Sequence, residues 1–442
     1  MKVTLEIGPT TSQLTSYSAY VLADPGVKVS VTRPTWKAAA EPETLSATLL
    51  MPRGQLLPTT FKAGAFIRLT EITIFASETI FIGRLDSVNI RPSARRRGRY
   101  EIDLSAVSVA SELYQNPLTK PIMPIQNYSA TNAHVAEQAM NALNAALPHG
   151  WKIEARVSNI WTFINSLDNG SMYSILLKHS AALWEPDKTA IDAIESFCTQ
   201  WGLVPEIEPD SKRIVVKPAT NRLNHINLDA SECDLDAQWS IRPDATVNAL
   251  SLSTIDTGVD AVKPSPSDSP QTGTSTRNPV VYENTASASV IGKRARSART
   301  LIDSAVLKGE EGPKLAAHLA ARLGPLFTST SPPELAPKSL TITSDKSNMS
   351  FIRTLQHVID RGVRVTGIKP PAAPIAAIQS HIESVEATFR GEHEKPHRVG
   401  ASVTVTFGLC ETSITSRPAA PGRWDTLTGR WTDQTTPWEA IA

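Results

Sequence analysis

The chain has 442 residues, 41% of them hydrophobic and 20% charged, which is typical of a soluble globular protein with about two to four domains. Its 44 basic and 43 acidic side chains leave a net charge of +1, which excludes a global electrostatic attraction to nucleic acid or to an anionic membrane. Three cysteines, Cys198, Cys233 and Cys410, are too widely spaced to form a disulfide framework, and they suit assembly in a reducing cytoplasm.

Residues 1–115 form the first predicted unit, a small β domain. Its strand-like segments are KVTLEI, VKVSVT, TLSATLL, FIRLTEITIF, TIFIGRLDSVNI and RYEIDLSAVSV. Most of them alternate apolar and polar residues, and this spacing favours an antiparallel barrel or sandwich. The opening MKVTLEIGPTTSQ is therefore expected to be a strand and not a signal peptide. No apolar run approaches the roughly 18–20 residues of a membrane span, so no span is predicted.

Residues 116–220 form the second predicted unit, an α/β domain. The segment TNAHVAEQAMNALNAALPHG predicts a helix whose apolar face carries Val135, Ala139, Leu143 and Leu147. Thr131 or Asn132 is the expected N-cap, and Pro148 with Gly150 should end the helix.

A second helix and a hairpin follow in the same unit. DKTAIDAIESFCTQWG predicts a helix with Ile191, Ile194, Cys198 and Trp201 on its apolar face, ended by Gly202. The next segment, LVPEIEPDSKRIVVKP, is typical of a β-hairpin that turns at Pro209-Asp210-Ser211-Lys212.

Residues 221–415 form the third predicted unit, a second β-rich barrel domain. Its strand-like segments are INLDA, QWSIR, NALSLSTI, SLTITS, GVRVTGI, IESVEATFR and ASVTVTFGL. A loop over residues 256–279, rich in Pro, Ser, Thr and Asp, is expected to be mobile. One helix is predicted near residues 313–323, with Pro313 in its first turn and Gly324 just past its end.

The last predicted unit is a C-terminal tail, residues 416–442, which lacks the character of a core. It places Trp424, Trp431 and Trp438 seven residues apart. Tryptophan in a polar segment usually anchors against its own domain or against a partner, so these three side chains are candidate interface residues.

The stretch GEHEKPHRVGASV contains His393 and His397 at the spacing of a zinc-metalloprotease motif. That motif requires both histidines on one helical face, and Pro396 between them would cost a helix about 3 kcal/mol or more. The flanking segments alternate like strands, and Val403 stands where the longer motif has its third ligand. We therefore predict a polar hairpin loop and no metal site.

Two basic runs are the remaining charged features. RPSARRRGRY includes Arg95, Arg96 and Arg97, and GKRARSAR follows at Lys293–Arg299. Contact with nucleic-acid phosphate is one interpretation, but no RNA-binding motif or interleaved aromatic residue accompanies either run. A solvated hairpin turn and a charged patch at a subunit interface are the alternatives, and Arg95, Arg96 and Arg97 are kept as candidate interface residues.

Motifs that would indicate catalysis or a cofactor do not occur in the sequence. There is no G-x-S-x-G elbow, Walker A loop, dinucleotide fingerprint or C-x-x-C pair. No enzyme activity, catalytic residue, cofactor or metal is therefore predicted. Paired carboxylates that meet only in the fold stay open, because sequence spacing does not reveal them.

Three stretches resemble the minor tail or baseplate-hub proteins of long-tailed bacteriophages, particularly phages of actinobacteria. TIFIGRLDSVNI is similar to a hub segment in which an aromatic-Gly-Arg step leads a strand across the first barrel. TAIDAIESFCTQWGLVPEIEPDSKRIVVKP is similar to the helix and hairpin of the hub's α/β domain. HIESVEATFRGEHEKPHRVGASVTVTFGL is similar to the closing hairpin of the second barrel.

The resemblance implies a mainly β, multi-domain hub in which two small antiparallel barrel-like domains flank an α/β domain. It further implies a homotrimer that closes the tail tube, since three subunits with two barrels each match six-fold symmetry. Expected partners are the tube or distal tail protein, the tape-measure protein and distal fibre proteins. DNA would only pass through the channel. The expected location is the virion tail tip, assembled in the host cytoplasm. An adhesin or adaptor of other symmetry and a tail-associated cell-wall hydrolase are the alternatives.

Overall fold

The structure is a computed structural model that describes twenty segments of the chain. These segments are residues 2–32, 39–52, 60–72, 77–94, 96–116, 118, 132–155, 160–166, 189–219, 225–229, 234–240, 247–256, 274–275, 280–303, 307, 312–328, 336–343, 362–366, 377–389 and 401–412.

The first predicted unit is an antiparallel sheet, as its alternating sequence indicates. Its strands are β1 Lys2–Thr10, β2 Gln13–Ser16, β3 Val27–Thr32, β4 Thr44–Pro52, β5 Phe66–Ile72, β6 Ser77–Pro92 and β7 Arg99–Ser108. Their order across the sheet is β3-β4-β7-β6-β5-β1-β2. Each predicted strand segment coincides with a strand of the structure, although residues 73–75 of FIRLTEITIF lie outside the described residues. The short strand β2 was not predicted, because QLTS holds a single apolar residue.

The second predicted unit combines helices with a small sheet. Its elements are α1 Ser111–Gln115, α2 Asn132–Ala146, β8 Lys152–Glu154, α3 Ile160–Ser166, α4 Ala190–Gln200, β9 Leu203–Glu208 and β10 Arg213–Pro218. The strand order is β8-β10-β9, with β8 parallel and β9 antiparallel to β10. Both predicted helices and the hairpin are confirmed.

Helix α4 shows why this part of the sequence was predictable. Ile191, Ile194, Cys198 and Trp201 are all buried, as their helical spacing indicates. Gly202 follows the C-cap residue Trp201 and has φ of +64°, the left-handed conformation that glycine adopts at least cost. The start of the helix was not predicted: Thr189 and Asp192 form a reciprocal capping box there.

The rest of the chain adds ten strands and two helices to the described structure. They are β11 His225–Asp229, β12 Asp234–Ser240, β13 Ala249–Asp256, β14 Thr274–Ser275, β15 Val280–Glu283, α5 Thr285–Ile291, β16 Ala295–Asp303, α6 Gly312–Phe327, β17 Ala336–Thr343, β18 Gly362–Thr366, β19 Ala377–Phe389 and β20 Ala401–Thr412. Strands β13 to β16 form a separate sheet, in which β16 runs parallel to β13. Most of the predicted mobile loop, residues 257–273, lies outside the described residues.

The predicted end of helix α6 before Gly324 is wrong, because the helix continues to Phe327. Gly324 does not cap the helix; it allows the helix to pack closely against strand β15. A Cβ atom on Gly324 would lie 2.1 Å from the Tyr282 ring, so only glycine lets the helix approach strand β15 this closely. Sequence alone gave no sign of this contact, since Gly324 and Tyr282 are distant in the chain.

One ladder joins the N-terminal and C-terminal β regions into a thirteen-stranded sheet. Strand β19 pairs with β3 along its C-terminal half, from Ser384↔Thr32 to Phe389↔Val27. Its N-terminal half pairs with β18, and its other edge pairs with β20. The fold is therefore mainly β with an α/β insert, as predicted, and its two β regions share a strand ladder that the sequence did not predict.

The described residues form two hydrophobic cores. Core 1 lies in the N-terminal sheet and receives Val385, Ala387 and Phe389 from strand β19. Core 2 packs the α/β elements against β13, β15, β16 and α6, so it draws residues from both sides of residue 220. No helix among the described residues is long and apolar enough to cross a membrane.

Candidate assembly surfaces and the seam between the cores

The hairpin tip between strands β6 and β7 carries the first basic run. Ser93 shapes this turn: its backbone N–H donates to the Arg99 carbonyl at 2.9 Å, and its hydroxyl accepts from the Arg96 N–H at 3.1 Å. Gly98 supplies the left-handed residue, with φ of +76°. Arg96 and Arg97 are exposed at the tip, while Arg95 lies outside the described residues.

Below the tip, the positive charge is partly neutralised by the strands. The Arg91 guanidinium lies 3.2 Å from Glu101 and 3.4 Å from Asp103. Glu101 is buried and also accepts from the Ser93 hydroxyl at 2.8 Å. Ile90 beside them is 46% exposed. The end of the hairpin thus presents arginines and the apolar Ile90 above a network of ion pairs and hydrogen bonds.

The second basic run leads into strand β16, and its side chains have different surroundings. Lys293 pairs with Glu283 at 3.1 Å near the surface. Arg296 sits beside Leu250 in the ladder and faces core 2, with its guanidinium 5.8 Å from the centre of the Phe327 ring. Burial lowers the pKa of Arg296, and the Glu195 carboxylate partly offsets that effect. In this run, therefore, the exposed Lys293 precedes the strand, whereas Arg296 faces core 2 from the strand.

The aromatic-Gly-Arg step of strand β6 has a defined structural role. A Cβ atom on Gly83 would lie 2.4 Å from the Val107 carbonyl oxygen and 2.6 Å from the Phe81 ring, so glycine permits the close approach of β7. The next residue, Arg84, lies over the Phe66 ring at 4.2 Å. Its guanidinium is also 3.7 Å from the Glu112 carboxylate. The step therefore links the N-terminal sheet to helix α1.

Glu112 on helix α1 connects Arg84 of the N-terminal sheet to residues of the α/β elements. Its carboxylate accepts from the Trp151 indole at 3.0 Å and from the Lys212 ammonium at 2.7 Å. Burial alone would raise the pKa of Glu112, but the hydrogen bonds from Lys212 and Trp151, with the charges of Lys212 and Arg84, lower it below its ordinary value. No sequence motif marked Glu112, because its three partners, Arg84, Trp151 and Lys212, come from separate parts of the chain.

Residues Ala39–Glu43, which lead into strand β4, form a seam between the two cores. Ala39 belongs to core 2 and Ala40 to core 1. The Ala39 N–H donates to Glu195 of helix α4 at 2.8 Å, and the Tyr114 hydroxyl of helix α1 donates to the Ala40 carbonyl. The seam is therefore tied to helices on one side and to the sheet on the other.

Glu43, the last residue of the seam, is a buried acid. Its backbone carbonyl accepts from the Ser108 N–H at 2.8 Å, which fixes it between β4 and the end of β7. Its side chain is 6% exposed, and its Oε2 has no hydrogen-bond partner among the described residues. Burial, and secondarily the negative charge of Asp210, raises the pKa of Glu43 to about 8. The sequence AAAEPETL gave no signal that this glutamate would be buried.

The remaining predicted site residues fall outside the described part of the chain. These are Trp424, Trp431 and Trp438 of the tail and His393 and His397 of the metalloprotease-like stretch. The strands that flank the two histidines pair antiparallel through Phe389↔Ala401, as the hairpin prediction requires. Within the described residues, no group of three or more His, Cys, Asp and Glu side chains could hold a metal ion.

Comparisons with known proteins give matches among solved structures alone. No protein-family model matches the chain, and no curated protein matches it. The 43 kDa tail protein of prophage MuSo2 from Shewanella oneidensis has 11% identity and a TM-score of 0.47, over 94% of this chain and all of that chain. A tail protein from Neisseria meningitidis MC58 has 12% identity and a TM-score of 0.46, over 92% and 97%. A prophage tail protein from Listeria monocytogenes EGD-e has 11% identity and a TM-score of 0.43, over 92% and 94%.

Two of these structural neighbours are described as prophage tail proteins and the third as a tail protein. The strand, helix and hairpins predicted for the three sequence stretches occur among the described residues. TIFIGRLDSVNI lies in β6, the second stretch forms α4 with the β9–β10 hairpin, and the third contains the paired strands β19 and β20. The restriction to phages of actinobacteria stays a prediction.

Proposed function

We propose that this chain is a structural protein of a phage tail tip, a homotrimeric hub that closes the tail tube and connects it to distal components. The proposal is supported by the order of the structural regions along the chain: an α/β insert separates two β regions, which are joined through the β3–β19 ladder. Two linked β regions give one subunit two related docking surfaces. Three such subunits can therefore dock onto a six-fold tube.

The proposed partners are the tube or distal tail protein, the tape-measure protein and distal fibre proteins, in a virion assembled in the host cytoplasm. The hairpin tip with Arg95, Arg96 and Arg97 and the tail residues Trp424, Trp431 and Trp438 are the proposed contact residues. Arginine and tryptophan are enriched among residues that dominate protein interfaces, which supports this choice. DNA would pass through the central channel without being bound in sequence-specific fashion. We propose no enzyme activity and no cofactor.

The oligomeric state tests the proposal directly. Light scattering coupled to size exclusion should give three times the subunit mass of 47.8 kDa. Class averages from electron microscopy should show a three-fold ring with a central pore. A stable monomer at micromolar concentration, or a ring of six, would contradict the hub and favour an adhesin or adaptor of other symmetry.

A cell-wall hydrolase is the competing enzymatic function, and it has its own test. Release of soluble fragments from purified cell wall, together with bound zinc and loss of both in His393→Ala, would support it. A full-length protein that carries no zinc and releases no fragments would exclude the metal-dependent form.

A further inference from the structure

The carboxyl of Glu43 is buried, which is energetically unfavourable at a position with a purely structural role. An isolated ionised carboxylate in an apolar environment is strongly destabilising, and buried polar groups normally find hydrogen-bond partners. The Oε2 atom of Glu43 has no hydrogen-bond partner among the described residues, and water cannot readily replace one because Glu43 is only 6% exposed. Because Glu43 lies between the two cores, its charge state affects how the two cores pack together.

We propose that Glu43 makes the seam between the N-terminal sheet and the α/β elements a proton-dependent joint, closed while its carboxyl is protonated. The joint has identifiable ties: Ala39 to Glu195, Ala40 to Tyr114, and Glu43 to Ser108. Opening it would expose the seam to water, where an ionised carboxylate is stable.

Several charged or titratable groups meet the seam from the elements packed against it. They are Glu41 on the seam itself, Tyr114 on helix α1, Glu195 on helix α4, and Asp210 in the β9–β10 turn. On the same helix α1 and turn, Glu112 and Lys212 are paired with each other, and Glu195 accepts from the Ala39 N–H. The exposed carboxylate of Asp210 is therefore the charge that opposes ionisation of Glu43.

The direction of the pH dependence follows from proton linkage. The pKa of Glu43 is raised to about 8 in the closed seam, whereas the ordinary value is 4.5, so opening releases a proton between these limits. The ratio of open to closed seam should therefore rise with pH, by up to about tenfold per pH unit, and level off above pH 8. Below pH 4.5 the carboxyl is protonated in both states, and the dependence should disappear.

Hydrogen exchange of the full chain at several pH values between 5 and 9, corrected for intrinsic exchange rates, tests the proposal. The backbone amides of Ala39 and Ser108 report on the seam, and those of Leu69 and Phe81 in core 1 serve as references. Protection of the seam amides should fall by up to about a hundredfold from pH 5.5 to 7.5 in the natural protein. In Glu43→Gln, whose side chain stays neutral, the protection should stay nearly constant.

Two further variants keep the test decisive. Asp210→Asn changes an exposed turn residue and removes the charge that raises the pKa of Glu43. The profile should therefore level off at a lower pH. This variant tests the proposal even if Glu43→Gln fails to fold. Glu41→Gln, an exposed neighbour on the same segment, should leave the profile unchanged. Parallel profiles in the natural protein and Glu43→Gln, an unmoved profile in Asp210→Asn, or equal loss of protection at Leu69 and Phe81 would each overturn the proposal.

Discussion

Phe389 of strand β19 lies directly opposite Val27 of strand β3, although nearly the whole chain separates them. Both side chains are buried in core 1, at 1% and 3% exposure. The C-terminal hairpin therefore completes the hydrophobic core of the N-terminal sheet. A chain cut before strand β19 would leave β3 with an unpaired edge and core 1 without three of its side chains.

Shortening Phe389 to alanine should destabilise the protein by about 3–5 kcal/mol, because a buried aromatic leaves a cavity in a packed core. Urea unfolding followed by fluorescence would measure the loss. Glu386→Ala, on the exposed face of the same strand, removes only the 2.8 Å pair with Lys28 and should cost less than about 1 kcal/mol. Equal losses in the two variants would show that β19 does not contribute to core 1.

Replacing Gly324 with alanine should destabilise the protein by about 1–3 kcal/mol, because the new methyl group would overlap the Tyr282 ring. The sign is diagnostic: glycine to alanine in an ordinary helix interior stabilises by about 1 kcal/mol. The double variant Gly324→Ala with Tyr282→Ala should cost less than the sum of the single changes, measured by urea unfolding. Additive costs would contradict a direct contact.

Replacing Glu112 with glutamine should cost about 1–2 kcal/mol at neutral pH, because Lys212 and Arg84 lose their carboxylate but stay partly solvated. The folded-state pKa of Glu112 is lowered, so its contribution is present above the unfolded value of 4.5 and is lost as pH falls through the folded value. Unfolding experiments at pH 7 and pH 3 should therefore show a difference between the two proteins that shrinks in acid. The exposed Glu137 gives a matched control, since Glu137→Gln should cost little at either pH.

Reversing the charges at the hairpin tip, with Arg96→Glu and Arg97→Glu together, should weaken subunit or partner association while leaving the thermal midpoint within a few degrees. Both residues are exposed in a turn whose geometry depends on Ser93 and Gly98. Sedimentation at low and high salt would measure the effect, which screening should reduce. Unchanged association at low salt would remove the tip from the proposed interface.

Replacing Trp431 with alanine tests the proposed role of the tail separately. Its loss should weaken association by about tenfold or more if the tail anchors a partner, because buried tryptophans dominate interface energies. Sedimentation of the variant beside Trp424→Ala and Trp438→Ala would rank the three residues. No effect from any of them would exclude the tail as an anchor.

The local elements of this protein were predictable because their signals are local. Alternation of apolar residues gave the strands β1 and β3 to β7, and helical spacing gave α4 with its terminal Gly202. The strand β16 was not recognised as a strand, because Arg296 and Arg299 interrupt the alternation of apolar and polar residues. The exposed basic tip at Arg96 and Arg97 was predictable from its flanking turn residues.

The sequence by itself determined most of the longer strands and helices, because backbone propensity and side-chain period act over a few residues. Only the tertiary structure decided that β3 pairs with β19, that Gly324 admits the Tyr282 ring, and that Glu43 is buried between two cores. Each of these depends on which distant segment packs against which. That choice is made by the free energy of the whole fold, in which burying the two cores outweighs the cost of one buried acid.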